Sequence, residues 1–213
     1  MYFRTLAAIR SHDFAHIGTR LGAHPGARIW ARLGPLVARI VLILGFANLI
    51  AISARIAFPL PFSPVPVTGQ TLAVLLAGLC LGSREGALAP LACIGEGLLG
   101  LPVFAGGRAG LAVLLGPTGG YLAGFVAAAF VVGWLAERNW SQRSVTLFAA
   151  LALGTLTIYT FGAIWLAGFI PTGPGSVLAA GVLPFIPGDI AKALLAAATV
   201  PSARRLLAQM RRQ

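Results

Sequence analysis

The chain alternates long apolar runs with short polar, proline-rich or glycine-rich breaks, a pattern typical of proteins that cross a membrane several times. A helix that spans the hydrocarbon needs about 20 mostly apolar residues, and six runs approach that length. We expect helices over residues 41–57, 68–81, 86–101, 118–136, 145–170 and 187–203, with a short helix over 176–183 before the last one. The pattern therefore predicts an all-α membrane protein, a compact bundle of six transmembrane helices.

Two breaks are long enough to form outer loops, one after helix 1 and one after helix 3. The first, residues 58–67, reads FPLPFSPVPV, and its four prolines exclude a helix. The second, residues 103–116, is rich in glycine and contains Arg108. The chain thus divides into a membrane domain over 40–203 and two basic tails, over 1–39 and 204–213.

Composition narrows the class of protein. Hydrophobic residues make up 58% of the chain and charged residues 10%, whereas about 25% of residues are charged in typical soluble domains. A soluble globule of this size cannot hide so much apolar surface, so a soluble enzyme is disfavoured. The net charge of +11 lies mostly in the two tails, which favours contact with the anionic headgroups of a lipid bilayer over binding to nucleic acid.

The distribution of cations predicts the orientation. Six spans place both termini on one side, together with the short loops that contain Arg84, Arg138 and Arg143. That side holds 13 of the 16 Lys and Arg residues, and loops rich in these residues are cytoplasmic. We therefore expect a multi-pass protein of the inner (plasma) membrane with both termini in the cytoplasm. The N-terminal tail is either a loose topogenic segment or an amphipathic helix on the membrane surface.

Four ionisable residues lie in or beside the apolar runs: Glu96, Arg108, Asp189 and Lys192. Such residues are costly in a membrane, at about 2.5–3.5 kcal/mol for Arg, Lys or Asp at the centre of a span. The predicted topology puts all four in the outer half, with Asp189 and Lys192 on one face of their helix. Gln70 and Tyr121 lie at the same level. Two anions and two cations at one depth predict a polar cavity for a ligand with both hydrogen-bond donors and acceptors.

Structural alternatives exist for most of these residues. Asp189 suits a helix N-cap, or an ion pair with Lys192 that has no role in binding. Arg108 suits a solvated loop, and Gln70 and Tyr121 suit interfacial anchors. For Glu96 no cation lies three or four residues away on its own helix. The sequence leaves these alternatives open.

The apolar block lacks the residues of several common sites. The three histidines lie in the N-terminal tail, and the two cysteines lie in apolar runs without a second ligand nearby. We therefore expect no metal site, no catalytic residues and no resident cofactor. Lys192 is the only lysine, and its context, GDIAK, is not a phosphate-binding loop. Any ATP that drives transport would have to be hydrolysed by a partner subunit.

Four segments of the apolar block are FSPVPVTGQTLAVLLAG (62–78), EGLLGLPVFAGGRAG (96–110), GPTGGYLAGF (116–125) and PFIPGDIAK (184–192). They resemble, in the same order, motifs of the BioY family, the biotin-specific S components of energy-coupling-factor (ECF) transporters. The resemblance covers about residues 41–203. It implies a six-helix membrane protein that captures biotin near its outer face. It also implies partners, namely a transmembrane coupling subunit and two cytoplasmic ATPases.

The resemblance also implies roles for particular residues. Asp189, with Glu96 as second choice, would accept the ureido N–H groups of biotin, and Arg108 or Lys192 would meet its carboxylate. Phe62, Phe104 and Tyr121 would form apolar walls. Independently of the resemblance, Gln70 and Tyr121 can both make hydrogen bonds at this level. On helix 1, Ala47 and Ala51 form an AxxxA motif that is expected to pack against the coupling subunit, because small side chains let helices approach closely. The alternative for this motif is packing within the monomer.

Two other functions remain open. A stand-alone secondary transporter or channel could use Glu96 and Asp189 as titrating carboxylates. A membrane-embedded enzyme is the other, although the apolar block contains no histidine and no nucleophile–base pair.

Overall fold

The structure is a computed structural model that describes residues 25–171 and 173–196, with side chains from Leu36 onward. The elements in chain order are α1 (Pro25–Ser53), β1 (Ala57–Leu60), β2 (Ser63–Thr68), α2 (Gln70–Leu81), α3 (Ser83–Leu98), a 3₁₀ turn (Ala105–Gly107), α4 (Leu111–Leu115), α5 (Gly119–Glu137), α6 (Ser144–Leu166), α7 (Pro174–Gly181) and α8 (Ile186–Ala196). The basic tail predicted over 204–213 and the first 24 residues lie outside this range.

The proline-rich run after α1 is a β-hairpin rather than a loop. Strands β1 and β2 pair antiparallel, with Ala57 opposite Thr68 and Phe58 opposite Val67. Both strands of a two-stranded ribbon are edge strands, and an edge strand tolerates proline where the nitrogen faces away from its partner. The exclusion of a helix over this run is confirmed. The fold is mostly helical, as predicted, with one hairpin that the prediction of an all-α protein did not include.

Three helices are long and apolar enough to cross a membrane, within the residues that the structure describes. They are α5, α6 and the Leu36–Ser53 part of α1, and α7 with α8 makes a fourth if this pair, bent by 47°, is one broken span. Helices α2 and α3 have 12 and 16 residues, which correspond to about 18 and 24 Å, whereas the hydrocarbon is about 30 Å thick. The count of six spans therefore stays a prediction.

Among the helix ends, the start of α1 differs most from its predicted position. This helix begins at Pro25 rather than near residue 41, so the predicted border between tail and membrane domain falls inside a helix. Charged side chains end the apolar run but not the helix, because arginine is a good helix former. The second predicted outer loop, between α3 and α5, contains the 3₁₀ turn and the short helix α4.

Helix α5 lies at the centre of the fold and packs against α2, α3 and α6. In the apolar 18-residue stretch of α5, 61% is buried inside the chain, compared with 17% in the corresponding stretch of α1. Small residues bring its neighbours close. A Cβ on Gly78 of α2 would overlap the backbone at Ala129, and a Cβ on Gly133 would overlap the backbone at Gly82. These contacts fix α2 against α5, and α2 carries part of the site.

The AxxxA motif of α1 faces the interior of the chain. Ala47 is 0% and Ala51 9% exposed, and both belong to the hydrophobic core, where α1 packs against α2 and α3. The prediction that this pair forms an outward partner interface is therefore wrong, because the small side chains are used for packing within the chain. The outward face of α1 carries Gly45, Asn48 and Ile52 instead.

Candidate substrate-binding site

A cavity opens between the hairpin and the helix ends around it. Its open volume, including the space at the mouth, is about 620 Å³. The apolar part of the wall consists of Val65, Pro66, Val67, Phe104, Ala105, Val113, Leu122, Phe125, Ile158 and Phe185. The polar part consists of Thr68, Gln70, Thr71, Arg108, Thr118, Tyr121, Tyr159, Asp189 and Lys192. The cavity that the sequence predicts is thus present, with a mostly apolar wall and a concentrated polar patch.

Asp189 is the centre of the polar patch and is 7% exposed. Its Oδ1 accepts hydrogen bonds from Thr71 Oγ1 and Lys192 Nζ, both at 2.9 Å, and its Oδ2 accepts one from the Tyr159 hydroxyl at 2.7 Å. A carboxylate offers about four acceptor positions, so one position on Oδ2 remains for a ligand. The partners are side chains of three helices, whereas a helix cap would bond to backbone N–H groups. The N-cap alternative therefore does not describe this residue.

Lys192 holds the carboxylate in place. Its Nζ donates to the Thr68 carbonyl at 2.8 Å and to Thr71 Oγ1 and Asp189 Oδ1 at 2.9 Å each. An ammonium group has three N–H donors, so all three are in use. The Thr71 hydroxyl accepts from Lys192 and donates to Asp189, which closes a small network. The predicted common face of Asp189 and Lys192 is confirmed by their ion pair.

Two aromatic walls depend on glycines of neighbouring helices. The Tyr121 ring packs on Gly162 of α6, and the Phe104 ring packs on Gly97 of α3; a Cβ at either glycine would overlap the ring. The Tyr121 hydroxyl also donates to the Gly181 carbonyl at 2.6 Å. Both aromatic residues therefore line the cavity, as predicted, in fixed positions.

Gln70 and Arg108 both line the cavity, but Gln70 is buried and Arg108 is exposed. Gln70 is the first residue of α2 and is only 3% exposed, and its Nε2 has no hydrogen-bond partner among the described residues. Arg108 is exposed, and its Nε donates to the Ala105 carbonyl at 3.1 Å. That bond holds the guanidinium beside the cavity and leaves its Nη groups available to a ligand.

Glu96 and Phe62 do not line the cavity, so their prediction as site residues is wrong for this cavity. The position of Glu96 along α3 does not fix the direction of its side chain around the helix axis. Its neighbour Gly97 is the residue that faces Phe104, and one step along a helix turns the side chain by about 100°. Phe62 lies in the hairpin turn and is 64% exposed.

Thr71 and Tyr159 also belong to the site, although the sequence pattern does not predict them. Tyr159 gives a usable signal, because a tyrosine inside an apolar span needs a partner for its hydroxyl. Thr71 gives almost none, because a helical threonine can bond to its own backbone. Thr157 and Thr160 do so, donating to the carbonyls of Leu153 and Leu156 at 2.8 Å each.

A metal centre is not supported by the geometry. Within the described part of the chain, no group of three or more His, Cys, Asp or Glu side chains is placed to hold a metal ion. The arrangement instead suits a small organic molecule with an apolar body, an N–H donor for Asp189 and an acidic group for Arg108.

Comparisons with known proteins point the same way. The sequence model of the BioY family matches residues 24–209 of this chain, a segment that contains the whole cavity. The biotin transporter BioY of Rhizobium etli is 41% identical over 158 residues, which cover 71% of this chain and 84% of that protein. The biotin transporter BioY of Thermotoga maritima is 39% identical over 152 residues, 71% of this chain and 87% of that protein.

A solved structure is similar in fold. It is the crystal structure of the S-component for biotin from an ECF-type ABC transporter, with a TM-score of 0.72 and 30% sequence identity. The match covers 81% of this chain and 93% of that chain. The similarity therefore extends over nearly all of the fold described above.

Proposed function

The chain belongs to the BioY family, and on that premise we propose that it is the biotin-binding, substrate-capture subunit of a vitamin uptake transporter. It is a transporter component, as its relatives are, and not an enzyme. The observation that carries the proposal is the Asp189 network, a buried carboxylate with one unused acceptor position at the wall of an apolar cavity.

The chemistry of biotin matches this cavity group by group. Biotin has a ureido ring with two N–H donors and one carbonyl, an apolar bicyclic body and a carboxylate at the end of a flexible chain. We propose that a ureido N–H donates to Oδ2 of Asp189, because hydrogen bonds to a charged acceptor are the strong ones. The rings of Phe104 and Tyr121 would flank the apolar body.

The carboxylate of biotin is assigned to Arg108 rather than to Lys192. The three N–H groups of Lys192 are already used by Thr68, Thr71 and Asp189. The guanidinium of Arg108 lies in the cavity wall with its Nη groups free to form a two-pronged contact with a carboxylate. In this proposal Lys192 positions Asp189, and Arg108 binds the ligand.

We place the protein in the inner (plasma) membrane with the cavity facing outward and both termini in the cytoplasm. The charge distribution supports this orientation. Arg84, Arg138 and Arg143 lie beyond the ends of α2 and α5 that are far from the cavity, and the cytoplasmic side of a membrane protein is the side rich in such cations.

Transport into the cell requires partners in this proposal. The chain has no phosphate-binding loop, so a coupling subunit in the membrane and two ATPases would supply the energy, and ATP would act only through them. No resident cofactor is needed for capture. The face of α1 available for the coupling subunit is the one with Gly45, Asn48 and Ile52, since Ala47 and Ala51 are buried.

Titration calorimetry of the purified full chain with biotin tests the capture function. We expect saturable binding to one site per chain, and competition by excess unlabelled biotin against a labelled one. An absence of binding in a folded, monodisperse preparation would contradict the proposal. Uptake of trace biotin by cells with and without the ATPase subunits then tests the partner requirement, because a stand-alone transporter would work equally well in both.

A further inference from the structure

The amide of Gln70 is the one polar group of the described cavity wall that is deeply buried and without a partner. Its Nε2 is shielded from water and no described group accepts from it. The amide oxygen of Gln70 has a partner, because the Thr68 hydroxyl donates to it at 3.5 Å. Buried polar groups in folded proteins are nearly always paired. An orphaned amide in a binding cavity therefore indicates a partner that arrives with the ligand.

None of the neighbouring groups accepts a hydrogen bond from Gln70 Nε2 in the described part of the structure. Asp189 accepts from three side chains around it, and Thr71 is occupied as both donor and acceptor. The Thr68 carbonyl accepts from Lys192. The polar patch therefore offers a ligand two hydrogen-bonding positions: a free acceptor position on Asp189 and the free Nε2 donor of Gln70.

We infer that Gln70 Nε2 donates to the ureido carbonyl of the ligand and thereby selects for that carbonyl; the inference rests on the proposed binding of biotin. Gln70 precedes Thr71 in the first turn of α2, and Thr71 bonds to Asp189, so the two groups lie on the same side of the cavity. A ureido ring carries its N–H donors beside its carbonyl, which suits this pair. The terminal torsion of glutamine is broad, so the amide can turn toward the ligand.

A hydrogen bond from Gln70 to the ureido carbonyl makes the site specific for ligands that carry this carbonyl. A site built to pair with a substrate group rejects an analogue that lacks it, because the polar group of the site is then left unpaired. The informative ligand is the guanidino analogue of biotin, in which C=NH₂⁺ replaces the carbonyl, so that a donor stands where the acceptor was. The desthio analogue, which lacks the sulfur but keeps the ureido ring and the carboxylate, is the matched control ligand.

The experiment compares three ligands, biotin and its guanidino and desthio analogues, on two proteins, the wild type and Gln70→Met, by calorimetric competition. Methionine keeps the length of the side chain and adds no charge. We expect the affinity for biotin and for the desthio analogue to fall at least about tenfold, equivalent to 1.4 kcal/mol. Gln142→Met, at an exposed glutamine between α5 and α6, should change nothing.

A second variant, Gln70→Glu, covers the case in which the methionine variant does not fold. Its carboxylate accepts but does not donate, so biotin affinity should fall and affinity for the guanidino analogue should rise. Unchanged biotin affinity in either variant, or equal losses for biotin and the guanidino analogue in Gln70→Glu, would overturn the role of Gln70. If the wild-type protein does not bind biotin at all, it is the proposed function that fails.

Discussion

Tyr159, in the middle of α6, donates its hydroxyl proton to Oδ2 of Asp189 in the first turn of α8, with 2.7 Å between the two oxygens. The bond joins two helices 30 residues apart in sequence and orients the carboxylate oxygen that still has a free acceptor position. Tyr159 therefore positions the acceptor on which the proposed recognition of biotin depends.

Tyr159→Phe should weaken biotin binding about tenfold, because a hydrogen bond to a charged group contributes about 1.5–3 kcal/mol. Tyr121→Phe is the matched control. Its hydroxyl bonds only to the backbone carbonyl of Gly181, so its loss should cost stability more than affinity. Calorimetry with biotin on both variants checks the prediction. Equal affinity losses would show that neither hydroxyl acts through Asp189.

Asp189→Asn should lower biotin affinity at least about tenfold, by the same energy of a charged hydrogen bond. The amide also brings its own N–H groups against three groups that donate to Asp189. Glu96→Gln makes the same chemical change outside the cavity, and should leave the affinity unaltered. Wild-type affinity in folded Asp189→Asn protein would remove Asp189 from the site.

Lys192→Met separates a positioning role from a contact with the ligand. If Lys192 acts only by holding Asp189, the double variant Asp189→Asn, Lys192→Met should bind biotin as weakly as Asp189→Asn alone. Losses that add would place the ammonium in direct contact with biotin. Recovery of binding in the double variant would mean that the pair is structural and has no role in recognition.

Much of the fold follows from apolar runs, because the length of such a run limits where a membrane helix can begin and end. The i,i+3 spacing of Asp189 and Lys192 likewise predicts from the sequence alone that their side chains share one face of the helix. The direction in which a helix faces depends on its neighbours, and this is why Glu96 was misplaced while Gly97 faces the site. Ala47 and Ala51 were misassigned for the same reason.

Contacts between distant segments were the hardest to predict. Thr71 and Asp189 are 118 residues apart in sequence, and no local pattern pairs them. The hairpin was recognised only as a region that excludes a helix, because alternating prolines argue against both regular structures and only the pairing of β1 with β2 decides between strand and loop.

Glu137→Ala should destabilise the fold without changing biotin affinity. Glu137 Oε1 accepts from the backbone N and the hydroxyl of Ser83 at 2.8 and 2.9 Å, which caps the start of α3 from a different helix. Loss of such a cap costs about 0.5–2 kcal/mol, so thermal unfolding of the detergent-solubilised protein should shift to lower temperature. Glu137→Gln keeps an acceptor oxygen and should lose less. An unchanged midpoint in Glu137→Ala would show that the cap is dispensable.

A reporter enzyme fused after Gln213 should behave as cytoplasmic, since 13 of the 16 Lys and Arg residues fall on the side predicted to be inside. A fusion at the hairpin turn, after Phe62, should behave as external. The paired fusions control for expression, because both contain the same reporter. Reversed activities would turn the cavity toward the cytoplasm and contradict outward capture.

We expect the coupling subunit to contact the outward face of α1. Gly45 has open space where a Cβ would lie, and Asn48 is an exposed polar residue whose Nδ2 bonds only to its own helix, at the Leu44 carbonyl. Gly45→Trp should weaken co-purification with the coupling subunit and spare biotin binding, because small residues permit close helix packing in membranes. Ala47→Trp is the control, since its side chain would enter the core and should damage folding and biotin binding together. Normal complex formation by Gly45→Trp would exclude this face of α1 as the contact.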